Sequence, residues 1–163
     1  MQANADFTAM LPHAGPADDA SRLLLFGIRR MAAGGLNDAH VAAAFLMAFG
    51  KNYRRPLILL RALMAELARA AKQAIVIAPC CCPRMTAGEH ELVSAVTASA
   101  ADARVAHRGI ATLIATPTAL GALTSAQALA QSFLDLGQPL GGFDRAGRPD
   151  GCVDQAAADH QPE

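Results

Sequence analysis

The sequence has no tryptophan, and aromatic residues make up only 4% of it. Strands favour aromatic and β-branched side chains, so a sheet-rich fold has little material to draw on. Alanine, which has the highest helix propensity of all residues, is abundant instead. The composition therefore predicts an all-α protein.

Export and membrane-insertion signals are also missing. The first residues, MQANADF, lack the basic start and apolar stretch of a secretory signal. The longest uncharged segment, 109–134, is interrupted by Pro117 and several polar residues, so it lacks the run of about 20 predominantly apolar residues that spans a bilayer. Three of the four cysteines are adjacent, unlike the spaced framework of a disulfide-stapled secreted domain. We expect a cytoplasmic protein.

The pattern along the chain predicts one helical domain between two tails. Residues 1–17 and 137–163 contain glycine, proline and polar residues with little apolar periodicity, which predicts disordered termini. Between them, residues 18–136 carry repeated helix start and stop signals, which predict a bundle of about five helices.

Individual helix starts can be named. Asn37 is a suitable N-cap for the second helix, and Pro56 is a favoured first residue of the third. Thr86, with Glu89 three residues later, predicts a capping box that opens a fourth helix continuing to Ile114. We expect the apolar stripes of the third and fourth helices to face each other.

The chain is neutral overall, but its charges are unevenly distributed. Residues 22–84 hold ten lysines and arginines against only two acidic residues, and both flanks are acidic. Lys51, Arg54 and Arg55 precede the third helix, where the positive end of the helix dipole attracts anions. This predicts a site for an anionic partner or an acidic protein surface. The alternative is a solvated loop without a ligand.

The cysteine triplet is the second candidate site. Cys80 and Cys82 can face one soft metal ion, such as zinc, with His90 as the nearest further donor. Arg84 and the start of the following helix can favour the thiolate form. The alternative, favoured by the tendency of free cysteine to be buried, is that the cysteines are small, inert hydrophobes in a tight turn.

The sequence contains no Gly-rich phosphate loop, no Gly-x-Ser-x-Gly and no His-Glu-x-x-His motif. An enzyme is therefore not indicated, and no cofactor is predicted apart from the metal ion considered above. The leading hypothesis is a non-enzymatic binding or regulatory module that uses its basic half. The competing hypothesis is a thiol or metal protein that uses Cys80 and Cys82.

Three short motifs in a fixed order carry a resemblance to a known family. They are Gly-Gly-Leu-Asn-Asp-Ala-His at 34–40, Arg-Arg-Pro-Leu at 54–57 and Pro-Cys-Cys-Cys-Pro-Arg at 79–84. In these the chain resembles a small uncharacterised alphaproteobacterial family, a domain of unknown function, over about residues 20–136. The resemblance implies a bacterial cytoplasmic protein and supplies no activity, ligand or catalytic residue.

Overall fold

Six α-helices form most of residues 10–141, the part of the chain that the computed structural model describes. A short 3-10 helix joins the second and third of these helices, and two short strands pair antiparallel. The elements in order are β1 His13–Ala14, α1 Asp19–Gly34, α2 Ala39–Phe49, the 3-10 helix Gly50–Asn52, α3 Arg54–Ala70, β2 Arg84–Met85, α4 Ala87–Ala98, α5 Ala103–Ile114 and α6 Leu120–Asp135. The all-α prediction is confirmed.

Side-chain caps fix the helix starts. Thr86 and Glu89 form the predicted capping box at the start of α4. The N-cap of α2 is Asp38 and not the predicted Asn37, because the Asp38 carboxylate accepts two backbone N–H bonds, at 2.9 and 3.2 Å. Asn and Asp are about equally good caps, so sequence preference could not decide between these neighbours.

The predicted fourth helix is two helices. α4 ends at Ala98, and Asp102 starts α5 by accepting backbone N–H bonds from Arg104 and Val105. Asp favours such a capping position over a helix interior, which explains why the chain breaks there. α4 and α5 then pack on each other.

Buried residues of the third and fourth predicted helices belong to one hydrophobic core, but these helices are not each other's main packing partners. α3 packs mainly against α6, and its buried Leu60 and Leu63 lie in the same core as Phe133 of α6. Phe133 also meets Phe45 edge-to-face, with ring centroids 6.0 Å apart. α1 approaches this core closely at Gly27, where a Cβ atom would lie 2.6 Å from Leu60 Cδ2.

The uncharged segment 109–134 is divided between α5 and α6. The two helices are separated after Ala115, a C-cap with a left-handed φ of 51°. Across residues 10–141, no helix combines the length and apolar character needed to cross a membrane.

The predicted N-terminal tail extends too far, because its second half packs on the domain. Leu11 is buried, and β1 pairs with β2 some 70 residues later, with His13 opposite Met85. The Arg84 guanidinium donates to the carbonyl oxygens of Leu11 and Pro12, at 2.6 and 2.8 Å. A partner this distant in sequence leaves no trace in the local pattern.

The predicted C-terminal tail also begins with residues that contact the domain. The Gln138 side chain donates to the carbonyl oxygen of Ala48 at 2.9 Å, and Leu140 packs against the core. The remainder of both predicted tails, residues 1–9 and 142–163, lies outside the described residues.

Candidate functional site at the cysteine turn

The cysteine triplet forms a tight turn on the surface between α3 and α4. The Cys82 N–H donates to the carbonyl oxygen of Pro79 at 3.0 Å, which places Cys80 and Cys81 at the two central positions. Cys80 and Cys81 are exposed, and Cys82 is half-buried. The expectation of cysteines packed inside a turn is therefore wrong for the first two.

A buried ion pair between α1 and α4 stabilises the conformation of this turn. Arg29 of α1 and Glu89 of α4 form a bidentate salt bridge. The Nε–Oε1 distance is 2.8 Å, and the Nη2–Oε2 distance is 2.9 Å. Their side chains are 4% and 0% exposed. The guanidinium also donates to the carbonyl oxygens of Cys82 and Arg84, both at 2.7 Å. One α1 side chain thus fixes the backbone after the turn.

The Glu89 carboxylate fixes the backbone on both sides of the turn. It accepts the N–H of Ala78 at 2.9 Å and the N–H of Thr86 at 2.9 Å. The Thr86 hydroxyl then donates to the carbonyl oxygen of Val76 at 2.7 Å. Because a buried polar group without a partner costs about 1–3 kcal/mol, these contacts hold the segment in one conformation.

Sequence reasoning identified Glu89 as a helix cap but missed its pairing with Arg29, 60 residues away. One signal was available. Arg29 directly follows the buried Ile28 and lies four residues after the buried Leu25, on the apolar stripe of α1. A charge on such a stripe must find a buried partner.

Arg30, and not the predicted Arg84, is the cation beside the exposed cysteine. Arg84 is engaged with the N-terminal segment, whereas the Arg30 guanidinium interacts electrostatically with Cys80. Arg30 Nη2 also contacts Asp38 Oδ2 at 2.6 Å and His40 Nδ1 at 2.8 Å. The bond from Arg30 lowers the pKa of Asp38 below its ordinary 3.8, and Asp38 in turn raises the pKa of Arg30. The guanidinium is thereby fixed at the start of α2.

Cys80 and Cys82 open into one surface cavity of about 390 Å³, and Cys81 does not line it. Leu25 and Phe26 of α1 provide an apolar wall of this cavity, and two arginines, Arg22 and Arg29, also border it. The turn thus places two cysteine residues at one cavity.

His90, the predicted further metal donor, lies apart from these two thiols. It does not line their cavity, and its ring stacks on His13 with centroids 3.9 Å apart. Burial, with a smaller effect of the nearby His13, lowers the pKa of His90 below its ordinary 6.5. Within residues 10–141, no three His, Cys, Asp or Glu side chains are grouped to hold a metal ion. Metal binding by Cys80, Cys82 and His90 stays a prediction.

Comparison with known proteins places the chain in a family. The sequence model of a family of unknown function, DUF6628, matches residues 1–135. The chain belongs to this family. Neither the curated proteins nor the solved structures compared with the chain give a significant match. The match includes β1 and ends with α6, so the segment that docks on Arg84 is part of the family domain.

At the second predicted site, at the start of α3, one of the three cations already forms an ion pair with a carboxylate of the chain. Arg55 Nη1 contacts Asp135 Oδ2 at 3.1 Å. Lys51 and Arg54 are exposed, and neither forms an ion pair with another described residue. The first turn of α3 has no side-chain cap. Anion binding by Lys51, Arg54 and Arg55 stays a prediction.

Most cations of the basic segment 22–84 bind oxygens of the chain itself. Side chains of seven of its ten lysines and arginines contact backbone carbonyls or carboxylates. The seven are Arg22, Arg29, Arg30, Arg55, Arg61, Arg69 and Arg84. Much of the local charge excess is therefore used to hold the fold together.

Proposed function

We propose that the protein is a thiol-dependent binding protein that takes up a soft monovalent metal ion, such as Cu(I), between Cys80 and Cys82. One observation carries the proposal: Cys80 and Cys82 line the same cavity, whereas Cys81 between them does not. Thiolates select soft metals such as Cu(I) and zinc. Structural zinc is almost always held by four ligands, whereas two sulfur atoms suffice for Cu(I).

The turn supports this role because the surrounding contacts fix its backbone. The Arg29 and Glu89 pair binds the backbone before and after the cysteines, through Ala78, Cys82 and Arg84. A ligand set that is ordered in advance loses less conformational entropy on binding.

The charges around the cavity favour a monovalent ion over a divalent one. Two thiolates and one monovalent ion leave a single negative charge, whereas a divalent ion would leave none. Arg22 and Arg29 line the cavity, and Arg30 interacts electrostatically with Cys80. Positive neighbours stabilise a complex that carries net negative charge.

The basic segment 22–84 gives less support for a function than the cysteine turn does. Its arginines largely bind backbone carbonyls and carboxylates, and only Lys51 and Arg54 remain of the predicted anion site. A binding or regulatory role through an anionic partner therefore has fewer groups to act with than the residue count suggested.

Competition for Cu(I) tests the proposed function. The protein, prepared without an affinity metal and kept reduced under anaerobic conditions, is titrated with Cu(I) against a coloured Cu(I) chelator. We expect one equivalent to transfer to the wild type, and Cys80→Ser and Cys82→Ser each to weaken binding by at least about tenfold, or 1.4 kcal/mol. Cys81→Ser is the matched control, because this exposed cysteine of the same turn lies outside the cavity.

Two results would contradict the proposal. One is a wild type that takes up no copper from the chelator, and the other is a Cys81→Ser variant that weakens binding as much as the other two variants do. A parallel titration with zinc, which requires more ligands than the turn offers, should show weaker retention.

A further inference from the structure

We propose that residues 74–78 pair with the same residues of a second copy of the chain, as two antiparallel strands related by a two-fold axis at Val76. The segment reads Ala-Ile-Val-Ile-Ala, the same sequence in both directions. Isoleucine and valine are residues that strands favour. None of these five residues lines the cysteine cavity, so the pairing does not require a bound metal ion.

One side of the segment's backbone is held by the start of α4. The Val76 carbonyl oxygen accepts the Thr86 hydroxyl at 2.7 Å, and the Ala78 N–H donates to the Glu89 carboxylate at 2.9 Å. Bonds to the same neighbour from residues two positions apart are the arrangement of an extended chain. Exposure agrees with this, because it alternates between exposed and half-buried over residues 74–77.

The other side of the backbone is unpaired. Neighbouring residues of an extended chain direct their N–H and C=O groups to opposite sides, so those of Ile75 and Ile77 point away from α4. None of these four groups has a hydrogen-bond partner among residues 10–141. A row of unpaired N–H and C=O groups is a template for a strand of another chain.

Pairing about Val76 satisfies all four groups of each copy. Ile75 of one copy lies opposite Ile77 of the other, and residues in a hydrogen-bonded antiparallel pair exchange two N–H···O bonds. The two-fold axis produces a second such pair, so the copies form four bonds. Val76 then faces its own copy as a non-hydrogen-bonded pair, at a Cα distance of about 4.5 Å. A two-fold contact of this kind closes at the dimer.

The charges near the segment are compatible with this register. Residues 73–79 contain no charged side chain, so no like charges meet within the paired strands. Position 72 of one copy corresponds to position 80 of the other. Lys72, which forms no ion pair with another described residue, therefore falls opposite Cys80 and not opposite a second lysine. A lysine at that place is complementary to the negative charge of the proposed metal complex.

Exposed apolar side chains extend the surface beyond the segment. Ile75 and Ile77 line a cavity of about 360 Å³ together with Leu36, which is 37% exposed. Val76, 55% exposed, lines a second cavity together with Met10, which is 61% exposed. A five-residue strand pair alone is smaller than the interfaces of stable complexes, which bury about 1,200–2,000 Å². We therefore expect a weak dimer that dissociates on dilution.

Sedimentation of the full chain from micromolar to millimolar concentration tests the pairing, under reducing conditions so that no disulfide joins the copies. The wild type should change from monomer to dimer. Val76→Asp sets two like charges directly opposite each other and should weaken the dimer about fivefold or more. Val105→Asp is the matched control, because Val105 of α5 is also an exposed valine, at 43%, and lies outside the segment. Circular dichroism checks that both variants are folded.

Amide hydrogen exchange followed by NMR identifies the paired residues in the wild type alone. At concentrations where the dimer forms, the N–H groups of Ile75 and Ile77 should exchange more slowly, whereas those of Ala74 and Val76 should not. A wild type that stays monomeric would overturn the proposal and leave this edge to a strand of a different protein. A dimer that Val76→Asp leaves intact, or one without protection at Ile75 and Ile77, would also overturn it, because the copies then meet at another surface.

Discussion

Removal of the Glu89 carboxylate should strongly destabilise the protein. In Glu89→Ala, two guanidinium N–H groups of Arg29 and the backbone N–H groups of Ala78 and Thr86 lose their acceptor. The Arg29 charge, 4% exposed, would be left without its counter-ion. Loss of one partner of a buried ion pair costs about 3–5 kcal/mol. We expect a loss of about 4 kcal/mol, a large part of the roughly 5–15 kcal/mol of a typical domain.

Urea unfolding followed by far-ultraviolet circular dichroism measures this loss as a change in the free energy of unfolding. Glu91→Ala is the matched control, because Glu91 is exposed on the same helix and forms no ion pair with another described residue. That change should stay within about 0.5 kcal/mol. The double variant Arg29→Met/Glu89→Ala should lose less than the sum of its single changes, because it leaves no buried charge unpaired.

The same change should loosen the cysteine turn. With Glu89 gone, the half-buried Cys82 should react faster with iodoacetamide under conditions where the variant is still folded. A loss of less than about 1 kcal/mol in Glu89→Ala, with Cys82 reacting at the wild-type rate, would refute the reasoning, because a buried charge would then have been left unpaired at little cost.

Three further outcomes test the core and the histidine stack. Leu63→Ala deletes a fully buried side chain and should cost about 2–5 kcal/mol in urea unfolding, and a loss of less than about 1 kcal/mol would contradict its core position. Gly27→Val adds atoms where a Cβ would already lie 2.6 Å from Leu60, so the melting temperature should fall, and an unchanged or higher value would argue against the close helix contact. The folded-state pKa of His90 is below 6.5, so the unfolded state binds the proton more tightly and stability should fall as pH drops through 6.5, until the folded pKa is passed. His90→Gln should reduce this dependence, measured as the urea midpoint between about pH 7.5 and pH 5, and an unaltered pH profile would assign it to other groups.

The sequence was sufficient to predict those structural features that depend on residues close together in the chain. The Thr86 and Glu89 box lies within one helical turn, and it correctly located the start of α4. The break before α5 was missed, because the apolar helical pattern continues across Asp102. Only the structure shows that Asp102 caps a new helix, by accepting backbone N–H bonds from Arg104 and Val105. The pairing of Arg29 with Glu89 was also missed, because 60 residues separate the partners and no periodicity links them.

The candidate site was predictable in its residues and not in its geometry. Cys80 and Cys82 are two positions apart, which allowed them to face the same side, and both line one cavity. The neighbouring cation was assigned to Arg84, four positions from Cys80, but Arg84 bonds to the N-terminal segment, and Arg30 of α1 interacts electrostatically with Cys80. Contacts between a turn and a distant helix depend on how the helices pack, which single-sequence patterns do not determine.

The Arg29 and Glu89 pair is best explained by the loop that it holds. In many proteins, replacement of a buried ion pair by apolar side chains is neutral or even stabilising, so stability of the core alone gives little reason to keep one. Here the pair also binds four backbone groups, from Ala78, Cys82, Arg84 and Thr86. Apolar side chains would leave all four without partners.

The loop itself gives the reason why such support is needed. Residues 71–83 contain neither helix nor strand, so their backbone groups have few partners from regular structure. Connections of about 12 residues or more without secondary structure are uncommon in domains and often functional. A connection between α3 and α4 alone could be shorter and would not require a buried charge from α1. The contacts from Arg29 and Glu89 are therefore expected where a loop must keep one conformation. In this conformation, the loop places Cys80 and Cys82 at one surface cavity.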